Sequence, residues 1–179
     1  MAGLNTRVPW YVAVLVIGGF VALIFLMPPP VAQPASRRTT CMNNVRQIGL
    51  AMQMYADEHE GKYPDTYEVL LKEACLTTTK VFICPSTHDR IPGEGYPEDF
   101  REATLEQLKL APENCSYTMV GGLKRDDLPD DFILVHDKSA DNHKGEGRNC
   151  WFNDGHVTWL DEGEFQAQMK KQSQKGASP

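Results

Sequence analysis

The chain has 179 residues and carries Lys+Arg 18 against Asp+Glu 24, a formal charge of −6. That charge is split: residues 1–40 hold Arg7, Arg37 and Arg38 with no acid, whereas residues 41–179 hold 15 bases against 24 acids, a balance of −9. So acidic a domain has no electrostatic attraction to phosphate backbones, which excludes nucleic acid as a partner, and hydrophobics at 41% exclude a disordered chain.

After a short tail over residues 1–7, residues 8–27 form an uncharged apolar run. At about 1.5 Å rise per residue, such a run spans a hydrocarbon core about 30 Å thick. Trp10 and Tyr11 stand at one end, where amphipathic rings favour the interface, and Pro28-Pro29-Pro30 stops the helix at the other. The run exceeds the length of a signal-peptide core and precedes no small-x-small cleavage site, so we read it as an uncleaved single-pass anchor. Arg7 and the Arg37–Arg38 pair nearly balance in setting orientation; the expected arrangement places the amino terminus inside and the domain outside the cytoplasm. Residues 28–40, rich in Pro, Ala, Ser and Thr, read as an extended spacer.

A folded domain is expected over 41–169, with a frayed tail over 170–179. Cys41, Val45, Ile48, Met52 and Tyr55 recur at steps of four and three, the signature of one helix face, and Gly61 suits its carboxyl cap. A shorter helix is expected at 66–74, a strand at 80–84 and loose helical spacing over 97–110. Further strands are expected at 115–120, 132–136, 149–153 and 156–160. The last two flank Asp154-Gly155, a dipeptide suited to a two-residue hairpin turn. That turn pairs Phe152 with Val157 and Cys150 with Trp159. It puts these four residues on a core-facing side and Trp151, Asn153, His156 and Thr158 on a wetter one. The fold class is therefore α+β: a helix packed on a small antiparallel sheet.

Five cysteines (Cys41, Cys75, Cys84, Cys115, Cys150) follow the apolar run without a Cys-x-x-Cys pair, and their spacing fits no zinc template. Two disulfides with one thiol, or five buried thiols, both agree with that count.

Several short motifs occur in order. They are Cys41-Met-Asn-Asn44-Val-Arg-Gln47-Ile-Gly-Leu-Ala, then Tyr55 and Tyr63-Pro64, then Cys84-Pro85-Ser86 and Cys115-Ser116-Tyr117, and finally His143 through Asn153-Asp154-Gly155-His156. Together they resemble the bacterial pseudopilin-like proteins with a carboxyl-terminal H-X9-DG motif, the type II secretion protein G-like and DUF1559 group. The resemblance covers residues 41–160. It implies a membrane-tethered, pilin-like domain in the bacterial inner membrane, non-catalytic and without a cofactor, working through protein partners of an envelope or secretion assembly. It also implies a disulfide between the family-matched Cys41 and Cys84. The chain departs from the family in lacking Phe-Thr-Leu-Ile-Glu after Gly3, in its proline-rich break, and in having ten residues between His143 and Asp154.

His136, Asp137, Asp141, His143, Asp154 and His156 are metal-ligand types close in sequence, and a metal-dependent hydrolase using His143 and Asp154 is one alternative reading. Against it, Asp154 is accounted for by the turn and residues 137–147 by a solvated loop, with His143 bonded to Asp154 to hold that loop on the hairpin. A structural calcium near 126–131 or 137–141 is the cofactor alternative. A free-standing envelope binding module of the same fold, offering Trp151 and the glycine-rich loop, is the remaining one.

Overall fold

The computed structural model describes residues 9, 11–12, 14–19, 34–93 and 96–175. The chain divides into two units, Met1–Ala32 and Gln33–Pro179. In the first, residues 11–12 and 14–19 are helical and residue 9 is not; the other residues of the expected 8–27 span, and residues 28–33 of the spacer, lie outside the described residues. Among the described residues no helix is long and apolar enough to cross a membrane.

Helix α1 (Pro34–Glu58) opens the second unit. Its described residues 34–40 already lie in the stretch expected to be an extended spacer. Cys41, Val45, Ile48 and Met52 are all fully buried along one face, with Ala56 continuing it. Gly61, at φ 79°, closes the end by donating its amide to the Ala56 carbonyl. Helix α2 (Tyr67–Lys72) follows, preceded by Thr66 in extended conformation and left by way of Ala74 at φ 56°.

The expected strand at 80–84 is instead a 3-10 turn, Thr79–Phe82, started by the Thr78 side chain accepting from the Lys80 amide. The Phe82 carbonyl accepts from the Ser116 amide (2.8 Å), but no strand forms here, and the apolar residues Val81 and Phe82 reach the core from a turn. Residues 97–110 form successive turns rather than a helix; Leu108 is buried but Leu105 is exposed.

Four strands, β1 (Tyr117–Met119), β2 (Ile133–Asp137), β3 (Gly147–Phe152) and β4 (Val157–Asp161), form one antiparallel sheet in chain order. The hairpin between β3 and β4 exists, but its register differs from expectation by one residue. Trp151 pairs with Val157, Cys150 with Thr158 and Asn149 with Trp159. The Phe152 amide donates to the His156 carbonyl and the Gly155 amide to the Phe152 carbonyl. Three residues, Asn153-Asp154-Gly155, therefore make the turn, with Gly155 at φ 89°. With a side-chain period of two, that one extra turn residue moves every β4 side chain to the other face.

The consequence is a sheet covered on both sides. Trp151, expected on the wet face, is buried against α1. A Cβ on Gly49 would lie 2.2 Å from the Trp151 ring, so only glycine lets helix and indole approach this closely. Cys150 and Phe152 face away from α1 and pack with Ile133 and Phe165. Phe165 belongs to helix α3 (Glu162–Lys175), which runs on from β4 through most of the expected tail. Gln172 docks α3 by accepting from the Ile133 amide (2.8 Å) and donating to its carbonyl (3.0 Å).

Candidate functional site

The α1 side of the sheet alternates Val135 and Asp137 on β2 with Asn149 and Trp151 on β3. Apolar packing therefore gives way to polar packing at one end of the sheet, below the start of α1. There Cys41 of α1 is joined by a disulfide to Cys84, in the loop after the 3-10 turn, and both are fully buried. The Cys84 loop is tied to the sheet through Ser116, whose hydroxyl accepts from the Cys84 amide (2.9 Å) and donates to Asp89 Oδ2 (2.7 Å). Asn44, one helical turn after Cys41, donates to the Ile83 carbonyl (2.9 Å) and to the Tyr117 hydroxyl (3.1 Å). Burial pushes the Tyr117 hydroxyl far up from its ordinary value, so it stays a neutral partner.

Asp137 is the centre of this knot. It is fully buried, and its Oδ2 accepts from the Asn149 amide (2.7 Å), from Asn149 Nδ2 (2.8 Å) and from His143 Nε2 (3.1 Å). A carboxylate only accepts, so the contact assigns the His143 proton to Nε2. Oδ1 of the same carboxylate is buried with no protein partner. The His143 ring stands edge-on to Trp159 (5.2 Å between centroids), and the Arg38 guanidinium lies 3.9 Å above that indole. Outside this wall a cleft of about 610 Å³ is bordered by Arg38, Ser86, Asn142, His143 and Glu146.

Behind the knot, Arg148 donates to the carbonyls of Asp137 (3.2 Å) and Lys138 (2.9 Å) and pairs with both Glu162 oxygens at 3.0 Å. The bond from Arg148 holds the Glu162 carboxyl below its usual range. His136, on the opposite face against Phe165, is lowered by burial, which disfavours imidazolium.

The expected bond between His143 and Asp154 is not formed; the two have separate partners. Asp154 sits at the exposed hairpin tip, where its carboxylate accepts from the His156 amide and meets His156 Nδ1. Burial, the largest single influence, raises the Asp154 carboxyl, but the His156 hydrogen bonds and charge together outweigh it and hold the group below its ordinary value. The His156 ring stacks on Phe152 (4.3 Å). A hydrolase centre is thus not assembled from His143 and Asp154. The segment expected to be a solvated loop instead contains buried Asp137 and His143. Among the acids weighed for calcium, Asp126, Asp127 and Asp130 are exposed, and Asp131 is bonded to Lys171.

The other motif residues hold the frame. Tyr55 stacks on His59 (3.7 Å), while Gln47 and Pro85 are exposed. Pro64 is buried, its carbonyl so close to Gly121 that a Cβ there would lie 2.0 Å away. Tyr63, also buried, donates to Asn153 Oδ1 (2.9 Å), and Asn153 Nδ2 reaches the Arg125 and Leu128 carbonyls (both 3.2 Å). Asn149 and the Tyr63–Asn153 bond went unnoticed in the sequence. Period-two alternation puts Asn149 on the Trp151 face, but the expected register makes that face the wet one, so no local signal marks Asn149 as buried.

A family described as protein of unknown function (DUF1559) matches residues 31–69, which take in α1 and the first residues of α2. No curated protein and no solved structure matches the chain. The match supports the DUF1559 group, and the matched span includes Cys41 and Asn44 of the buried knot.

Proposed function

We propose that the chain is a non-enzymatic, membrane-anchored, pseudopilin-like protein acting through protein contacts in a secretion-type assembly of the bacterial envelope. Residues 8–27 are the anchor, and the domain stands outside the cytoplasm. The observation that carries this reading is the layout of the second unit: a long first helix laid across an antiparallel sheet and locked there by buried polar bonds. Asn44, Tyr63, Tyr117 and His143, all from the motifs, are engaged in those bonds rather than converging on a reaction centre. The buried disulfide supports an oxidising compartment. On its outward side α1 exposes Leu50 (46%) and Met54 (56%), where a neighbouring subunit would meet it.

Fractionation of cells making the full chain tests the reading. The protein is expected to stay in membranes after alkaline carbonate and to be cut by added protease once the outer membrane is opened. Removal of residues 8–27 should release it. A photo-crosslinker at Leu50 should join it to envelope assembly components. A full-length chain found in the soluble fraction, or a domain protected by an intact inner membrane, contradicts the proposal.

A further inference from the structure

The disulfide and the buried acid–imidazole pair form one cluster. One ligand atom from each of Cys41, Cys84, Asp137 and His143 lies within 4.8 Å of the other three, and all four residues are buried. They come from four separate places in the chain: α1, the loop after the 3-10 turn, the end of β2 and the β2–β3 connection. No local spacing could announce such a set, which is why the cysteine pattern fits no zinc template.

We propose that, once its disulfide is reduced, this cluster binds a thiophilic divalent cation of the zinc class. Two thiolates, one imidazole and one carboxylate are a closed tetrahedral donor set for such a metal. Tetrahedral bonds of about 2.3 Å to sulfur and about 2.0 Å to nitrogen require S···S near 3.8 Å and S···N near 3.5 Å, within the spread of the present cluster.

A second, independent observation points the same way. Asp137 takes its three hydrogen bonds at Oδ2, while Oδ1 is buried without a partner. A buried acceptor without a protein partner is costly, and a cation is a partner that suits it. The Asn149 amide and Nδ2 meanwhile fix the carboxylate, as outer partners do for metal ligands. The cleft bordered by Ser86 and His143 supplies an approach from solvent.

The chemistry balances with a dithiol as reductant. Its thiolate attacks one sulfur of the Cys41–Cys84 bond, its second thiol resolves the mixed disulfide, and it leaves as its own disulfide. Two electrons and two protons thereby pass to Cys41 and Cys84. Metal binding then expels one proton from each thiol, while the His143 proton passes from Nε2 to Nδ1, so that the imidazole ligates neutral through the nitrogen facing Asp137 and the aspartate stays ionised. This proposal does not rest on the membrane reading, and either can fail alone.

The test is a cobalt(II) titration of the full chain in detergent, reduced anaerobically with a phosphine, followed by zinc competition. One cobalt per chain is expected, with tetrahedral d–d bands and a thiolate-to-cobalt charge-transfer band that zinc abolishes. The oxidised chain should show neither. Cys41→Ser and Cys84→Ser should lose the charge-transfer band, Cys75→Ser should keep it, and His143→Ala should weaken binding at least roughly tenfold. Circular dichroism of the unmodified reduced chain provides a readout independent of the variants, with metal expected to retain or restore its folded spectrum. Absence of the charge-transfer band, its persistence in Cys41→Ser, or a reduced chain that stays unfolded with metal overturns the proposal.

Discussion

Two histidine–aspartate pairs stand at opposite ends of strand β3, and they behave as different objects. His143 and Asp137 meet at 3.1 Å with side chains 5% and 0% exposed; His156 and Asp154 meet at the hairpin tip with side chains 49% and 41% exposed. The buried pair is bound into Asn149 and sits against the disulfide, so each member's loss strands its neighbours away from water. At the tip, water can replace whichever partner is removed. Residue type alone therefore says little about what such a pair does; burial decides it.

Four substitutions or conditions bear on that contrast. Asp137→Ala strands three donors at once and should cost about 3–5 kcal/mol in urea denaturation, enough to unfold a marginal domain. A loss under about 1 kcal/mol would mean that the knot is replaceable. Breaking the Cys41–Cys84 bond in buffer with a chelator removes a cross-link over a sequence separation of 43. Loop-closure entropy puts that at about 4 kcal/mol, or rather less where the denatured chain is compact, read as a lower melting temperature.

His136, beside Asp137 in sequence but on the α3 face, should give the buried region a pH dependence. Burial lowers its pKa, with Arg148 acting in the same direction, against the Asp137 carbonyl bond and the Asp137 and Glu162 charges. The unfolded chain then takes up the proton first, so this stability is present above about pH 6.5 and is lost as pH falls toward the folded value. His136→Gln should flatten the slope of denaturation midpoint against pH between about 6.5 and 5. An unchanged slope would assign it to other groups. Asp154→Ala comes last, with a shift below about 1 kcal/mol, since the turn geometry itself rests on Gly155. A loss as large as that of Asp137→Ala would erase the distinction between the two pairs.

The sequence made the two regions unequally legible. The α1 stripe was readable because Cys41, Val45, Ile48 and Met52 share a helical period and one burial. The hairpin's place was readable from Asp154-Gly155, but not its register: two- and three-residue turns both want glycine there, and the difference inverts β4. Helix α3 was missed because it docks through few apolar residues, chiefly Phe165 and Met169, and through a glutamine that mimics a strand. The 3-10 turn at Thr79–Phe82 carries a strand-like apolar run that reaches the core without becoming a strand of the sheet. Asp137 lies one residue beyond the expected end of its strand, where the pattern reads as solvated loop; its partner Asn149, twelve residues on, is set by the sheet, and His143, six residues on, by the turn between the strands.

Native-state hydrogen exchange compares the two regions without altering either. The Asn149 amide donates to Asp137 Oδ2 in the knot, and the His156 amide donates to Asp154 Oδ1 at the tip. The Asn149 amide should exchange only through global unfolding, with a protection free energy equal to that from denaturant, while the His156 amide exchanges through local opening orders of magnitude faster. Equal protection at the two amides, or exchange at Asn149 well below the global limit, would contradict the account of the buried knot as the structural centre of the domain.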